Sequence, residues 1–572
     1  MTDRQGFAER LGRLPSSPWF AYPAVFLVQA RALWGIWHDD LSPGDTAGYW
    51  QWADLWFDHE QVNVVWSPLY TAGLGTLRWL TGDDATVAIP AHRALIAFAV
   101  ALLLLAVLRR LLPAPIALLG ACWWAVLPIV FDTVVEVHLF SALPLLAVVL
   151  LLTNDPGPWR RGSALAVALA GAVLVRNETA LVVVALFAAL AWSEWRARRG
   201  GAGTPLRQLA VATLVPIAVA LVVVGGFHER SIFQGQAARE MWQAKQTLNV
   251  CQVFGTNYQQ RHADYRGNPF VDCESLMTRL FDKPRPTLVD AWQANSGEMA
   301  AFTAWNLHLL LAGLQLGLFN AVTADDNPDY PPAQLESWWA TLLTAVLLAL
   351  LAVGGRRLWR DRAVWAARLR SQRWAWLTFG AIAAATLLVV IFDARPRPAY
   401  MFGLTAGIMA ATGLALAALL RERDRIERTV ACTAVALPIL LVLALPAHYD
   451  DNPRPLAEQY ERLRPVVFDA GPATLVVPRH TGEACAYLVP IGSCRALAYG
   501  RDIAPRARRN GLPAALRASG ADVLYTDAAV LADPAVVRLV DSAGPSGWRL
   551  AARGEGDDGP WAVLIRSDRQ AR

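Results

Sequence analysis

The chain has 572 residues, 55% hydrophobic and 17% charged, with a formal net charge of +5. A soluble chain normally carries about a quarter charged residues, so this composition, with its positive mean hydropathy, excludes an ordinary soluble protein and points to a polytopic membrane protein. The basic excess is not a nucleic-acid signal. The arginines cluster in short loops between apolar runs, as the positive-inside rule expects, and Lys245 and Lys283 are the only lysines.

In chain order, the opening residues are polar and no cleavable signal peptide is expected. The run 19–37 reads as a weak anchoring span that contains Gln29 and Arg31. It leads into HDDLSPGDTAGYWQWADLWFDHEQVNVVWSPLY, residues 38–70, which sets Asp39, Asp40, Asp45, Asp54 and Asp58 among Trp50, Trp52, Trp56 and Trp66. Carboxylates require water or a cation, while tryptophans favour the headgroup level, so this loop reads as a wet site against the bilayer. Asp39, Asp40 and Asp58 are expected to be solvated, and the tryptophans to hold the loop at the interface.

Further apolar spans are expected at 88–108, 114–131, 139–152, 162–175, 180–193, 209–227, 337–354, 374–392, 401–420 and 429–446, so the transmembrane helices number about eleven. Several are short for a full crossing and read as tilted or broken helices. Every second loop is basic, from Arg4, Arg10 and Arg13 through Arg109 and Arg110 to Arg421 and Arg428. The amino terminus is therefore expected in the cytoplasm, and segments 38–87, 228–336 and the tail outside. Within 228–336, AAFTAWNLHLLLAGLQLGLF (300–319) reads as an interfacial helix because of Asn306, His308 and Gln315. Cys251 with Cys273, and Cys485 with Cys494, fall in the outward segments and are disulfide candidates.

The expected fold class is mainly α, a membrane domain over 1–446 with a small extracytoplasmic α/β domain over 447–572. In that tail 473–478, 521–527 and 561–567 read as strands, and 455–463 and 511–519 as helices.

Candidate chemistry lies in the outward segments. Asp45, boxed by Gly44, Gly48, Tyr49 and Trp50, is the candidate base. Glu136 and His138 stand in VVEVHLF, and Arg176 and Glu178 in LVRNET. Arg395 and Arg397, in FDARPRPAYMFG, run against the charge alternation, which suggests an anionic ligand. A base plus several arginines suits transfer from a phosphate-activated donor. No Walker loop, GxSxG, HExxH or Rossmann glycine pattern occurs in a plausible context. On an outer face, a lipid-linked phosphate is the natural donor.

The order GDTAGYWQWADLW, SPLY, EVHLF, LVRNET and RPRPAYMFG resembles the integral-membrane GT-C glycosyltransferases. The nearest likeness is to the group of protein O-mannosyltransferases, aminoarabinose transferases and Rgt-type lipopolysaccharide sugar transferases. It spans roughly residues 19–446. The resemblance implies a polyprenyl-phosphate-sugar donor, inverting transfer and Asp45 as general base. It also implies that Arg176, Arg395 and Arg397 lie near the donor phosphate, and that Tyr49, Tyr70, Glu136, His138 and Glu178 contact substrate. The chain departs from the pattern at Asp45-Thr46, where relatives carry an acidic pair, and at Asn177, where they carry proline. Those changes bear on the acceptor, which could be a glycan, lipid or protein, and on whether a divalent cation takes part. The setting implied is a bacterial plasma membrane. A transporter or flippase for a lipid-linked sugar is the alternative, and an oligosaccharide polymerase or ligase a third. The polar residues gathered at one face, without half-to-half symmetry, favour the enzyme.

Overall fold

The computed structural model of the chain describes residues 13–42, 44–58, 67–128, 136–201, 203–227, 235–323, 337–421, 424–445, 454–467, 473–479, 481–488, 494–544, 546–556 and 559–568. They form two compact units. The first is Met1–Leu33, Ser67–Tyr70 and Ala94–Ala447, and the second is Trp34–Trp66, Thr71–Arg93 and His448–Arg572. The second unit joins 34–66 and 71–93, most of the segment 38–87, to the tail.

The chain opens with helices α1 (Pro18–Ala32), α2 (Asp45–Asp58), α3 (Pro68–Leu80) and α4 (Ala85–Leu111). Next come α5 (Ala114–Ala125), α6 (Glu136–Leu151), α7 (Pro158–Leu174), α8 (Ala180–Arg199) and α9 (Leu206–Phe227). The large segment that follows folds as α10 (Gly235–Arg261), α11 (Cys273–Phe281), α12 (Leu288–Ala294) and α13 (Ser296–Phe319). The first unit closes with α14 (Trp338–Arg360), α15 (Arg362–Ser371), α16 (Arg373–Phe392), α17 (Pro398–Leu420) and α18 (Asp424–Ala444).

Among the described residues, eight helices are long and apolar enough to cross a membrane: α4, α8, α9, α13, α14, α16, α17 and α18. The expected spans 19–37, 114–131, 139–152 and 162–175 are instead helices of 15, 12, 16 and 17 residues. At a rise of about 1.5 Å per residue, even the longest reaches about 26 Å, short of a hydrocarbon core of about 30 Å. Local chemistry stops them. α1 ends ahead of Gly35, whose φ of 104° is left-handed, and α5 follows Pro113 directly.

The interfacial reading of 300–319 is corrected. That stretch belongs to the 24-residue helix α13, which meets the length and hydropathy of a span. Asn306 and Gln315 are buried within the first unit rather than facing headgroups. The Gln315 side-chain oxygen accepts from Thr323 and its amide donates to Thr344. Buried polar groups bonded in this way are tolerated in an apolar helix.

α10, α11 and α12 pack around Cys251, Phe254, Met277, Phe281 and Phe302, each large side chain contributing roughly 1.5–3 kcal/mol of burial. Cys251 and Cys273 are disulfide-bonded, 22 residues apart. α12 starts with a capping box, in which Thr287 accepts from the Asp290 amide while the Asp290 carboxylate accepts from the Thr287 amide.

The second unit is built on a five-stranded sheet of β1 (Ala473–Val477), β2 (Cys494–Ala498), β3 (Val523–Thr526), β4 (Trp548–Gly556) and β5 (Gly559–Arg566), in the order β2-β1-β3-β5-β4. β1 pairs in parallel with β2 and β3, and β5 runs antiparallel to both β3 and β4. Val476, Leu524, Leu516, Trp548 and Leu564 form its core. The three central strands match the sequence expectation. The missed pair, β2 and β4, are the two edges, where partial burial removes the apolar signature: β2 has no buried residue, and β4 only Trp548. Cys485 and Cys494 are disulfide-bonded, tying β2 to α20, which follows α19 in the tail. These two helices are α19 (Pro455–Val467) and α20 (Thr481–Leu488).

Candidate active site

In the first unit the chemistry gathers where α7 gives way to α8. α7 ends at Leu174, and Arg176 turns to an extended conformation, with φ of −148° and ψ of 127°. Its amide still donates to the Gly171 carbonyl at 2.9 Å, and its own carbonyl accepts from the Thr179 hydroxyl at 2.6 Å. This break aims Arg176 at a small cavity of about 50 Å³, open in part to solvent, lined also by His138, Thr179 and Tyr400 and walled by Val182, Ile382 and Val389. The Arg176 guanidinium sits 5.8 Å from the Tyr400 ring centre. The His138 ring meets the same tyrosine edge-on at 4.9 Å. His138 is buried, and its Nδ1 has no hydrogen-bond partner among the described residues. An orphaned buried polar atom costs about 1–3 kcal/mol.

Arg395 and Arg397 are both buried, in the link from α16 to α17. Arg397 precedes Pro398, which favours its extended backbone, and Pro398 then opens α17 at the position where proline fits a helix. His138 lies within Coulombic range of Arg176 and Arg397. The link is fixed from α13. The Asn306 amide donates to the carbonyls of Ile391 at 3.1 Å and Ala394 at 2.8 Å. Its oxygen accepts from Asn257 on α10 at 3.1 Å, and Asn257 in turn accepts from Arg261. Gly313 lies so near the Pro396 carbonyl that any Cβ would overlap it. Sequence reasoning missed Asn306 as a support. The available signal was an amide in an apolar run, read as a surface mark.

Tyr70 is buried and packs edge-on against Phe140 at 5.8 Å. Glu136 begins α6, and Glu178 lies in a single 3-10 turn over Asn177–Thr179. Their side chains lie outside the described residues.

In the second unit Asp45 is the first residue of α2, after Gly44 with φ of +80°, so the glycine turn read from the sequence is present. Asp45 is exposed, and its side chain makes no hydrogen bond or ion pair among the described residues. The other described aspartates of the loop are structural, and the expectation of solvated Asp39 and Asp40 is corrected. Asp39 pairs with Arg93 at 2.8 Å. Asp40 accepts from the Leu456 and Ala457 amides at the start of α19. Asp54 is buried against Arg78 at 2.6 Å. Trp50 is also not interfacial: it is buried, donates to the Tyr487 carbonyl and lies under the Arg78 guanidinium at 4.7 Å. Tyr49 is buried too. The Asp58 and Trp56 side chains and Trp66 lie outside the described residues.

No protein-family profile and no curated protein matches the chain. Among solved structures it is similar to the archaeal oligosaccharyltransferase AglB from Archaeoglobus fulgidus, in complex with an inhibitory peptide and a dolichol-phosphate. That match has 12% identity over 89% of this chain and 69% of that one, with a TM-score of 0.39. It is also similar to the Archaeoglobus fulgidus oligosaccharyltransferase in the apo form, at 12% identity, 91% and 69% coverage and a TM-score of 0.38. These are oligosaccharyltransferases rather than members of the O-mannosyltransferase or Rgt-like group that the motifs resemble. Likeness at that level leaves the chemistry to be argued from the residues themselves.

No group of three or more His, Cys, Asp or Glu side chains placed to hold a metal ion occurs among the described residues. The first unit's cavity offers a cation, an aromatic face and an imidazole at the mouth of an apolar wall.

Proposed function

We propose that the chain is a membrane glycosyltransferase of GT-C type, taking a sugar from a polyprenyl-phosphate donor and passing it to an acceptor hydroxyl with inversion. The observation that carries this reading is the cavity where Arg176, His138 and Tyr400 meet beside aliphatic walls. A lipid phosphate presents both an anion and a hydrocarbon chain, and a guanidinium matches phosphate geometry. Arg176, with Arg395 and Arg397, binds the donor phosphate and stabilises it as the leaving group. His138, Tyr70, Glu136, Tyr49 and Glu178 line the substrate path. Asp45 is the general base that takes the acceptor proton, suited to that role by an exposed carboxylate with no partner among the described residues. The protein works in a bacterial plasma membrane, with its amino terminus cytoplasmic and its tail outside.

The test is transfer from a polyprenyl-phosphate sugar by the purified full chain. Asp45→Asn should lower turnover about 10²–10⁴-fold, the range for a positioned base, with donor binding retained. Arg176→Ala should weaken donor binding as well as turnover. Unchanged transfer by folded Asp45→Asn protein removes Asp45 from the mechanism, and unchanged donor binding by Arg176→Ala removes the cavity as the phosphate site.

A further inference from the structure

The tail sheet has its own switch point. The chain leaves β1 toward β2 on one side and returns to β3 on the other, so β1 lies between two parallel partners reached in opposite directions. In open α/β sheets ligands bind in the crevice outside the carboxyl ends of the strands at this point. A crevice of about 520 Å³, open to solvent, lies there. Pro478 and Arg479 follow β1, Tyr525 and Asp527 end and follow β3, and α19 supplies the remaining wall through Glu458, Gln459 and Arg462.

The lining is built rather than incidental. Arg462 donates to the Tyr525 hydroxyl at 2.7 Å, pairs with Glu458 and lies over the Trp561 ring at 4.9 Å. Gln459 is 3% exposed, and its amide nitrogen has no hydrogen-bond partner among the described residues. Buried amide donors are almost always satisfied, so this one marks a place for an incoming acceptor. Arg479 is exposed and also makes no hydrogen bond or ion pair among the described residues. The charged side chains are two carboxylates, Glu458 and Asp527, and two guanidiniums, Arg462 and Arg479.

We infer that this crevice is a saccharide-binding site. A phosphate or nucleotide calls for surplus positive charge, and the described charges here balance. A sugar presents hydroxyls that each donate and accept, and it needs carboxylates, amides and guanidiniums together. Ala528 and Ala529 keep the rim open for a ring. The inference stands on the second unit alone and does not depend on the transfer reaction.

The experiment is saturation-transfer NMR on the full chain in nanodiscs. The probes are common aldohexoses, aldopentoses and their linear di- to tetrasaccharides, with inorganic phosphate and AMP for comparison. At least one saccharide should bind, and its affinity should fall ten-fold or more in both Gln459→Leu and Arg479→Ala. Arg479→Ala guards against misfolding, because the exposed side chain supports nothing around it. Binding should persist in Asp45→Asn and Arg176→Ala, which separates this site from the transfer reaction. The inference is overturned if no saccharide binds at millimolar concentration, if both crevice variants bind as the parent does, or if phosphate or AMP binds in preference to every sugar.

Discussion

Tyr499 and Asp533 show how single residues tie the tail's stability to pH. The Tyr499 hydroxyl donates to Asp533 at 2.6 Å. That bond, as the largest cause, holds the Asp533 carboxyl below the usual carboxylate range. Burial first, and then the same carboxylate, push the tyrosine above its ordinary value of 10. Because the aspartate's folded value is lowered, its contribution is full above the ordinary carboxylate range and is lost as pH falls through the folded value. The tyrosine acts in the opposite sense, stabilising the fold until pH rises past about 10. Tyr499→Phe should move acid unfolding of this region to higher pH. Pulse-labelled hydrogen exchange of peptides over 528–541, after incubation at graded pH, reads the shift, and an unmoved midpoint would count against the bond. At this scale the sequence was partly legible. The turn ahead of Asp45 could be read from Gly44, whose φ is +80°. The roles of Asp39, Asp40 and Asp54 could not be, since their partners are Arg93, the α19 amides and Arg78, and nothing local in the sequence announces such long-range bonds.

Among the elements, α13 carries more than its hydropathy suggests. Asn306 holds two carbonyls ahead of Arg395, and Gly313 allows the backbone of Pro396 to come close. Asn306→Leu removes those bonds and leaves the Asn257 amide with the Phe302 carbonyl as its acceptor. Each lost bond in a buried setting costs about 1–3 kcal/mol, and the loss falls on the link that carries the arginines. The expected outcome is a several-fold rise in donor KM with a smaller change in kcat, measured by donor-dependence kinetics. Equal losses in both, alongside a collapsed melting temperature, would mean that Asn306 only supports the fold. Gly313→Val should be more severe, because its side chain cannot avoid the Pro396 carbonyl. Long apolar helices such as α4, α14 and α17 were readable from composition alone. α13 was misread because its amides were taken as a surface mark, whereas burial with bonded partners produces the same residue pattern.

For the whole molecule, the two disulfides provide a test of sidedness. Cys251–Cys273 and Cys485–Cys494 call for an oxidising compartment, which suits the proposed placement of 228–336 and the tail outside. In intact cells, a membrane-impermeant maleimide should label Cys273 in Cys251→Ser and Cys494 in Cys485→Ser. Labelling that appears only after lysis would reverse the proposed orientation. Loss of the first bond should also destabilise the α10–α12 region by about 2–4 kcal/mol, seen as faster proteolysis there. The division into two units was the least legible feature, because a unit assembled from distant segments leaves no composition boundary in the chain.

That discontinuity has a cost in time. The second unit has residues up to Arg93, then none until His448, 355 positions later. At ~5–20 residues per second, ribosomes need roughly 20–70 s to make the intervening chain. Through that interval Asp40 has no α19 amides to accept from, and Trp50 has no Tyr487 to pack against. On the proposed orientation, the newborn protein therefore carries Asp45, the proposed base, across the membrane on an incomplete body. A chain stalled before 448 should then be cut within 38–87 by a protease added to the outer face, while the finished chain resists.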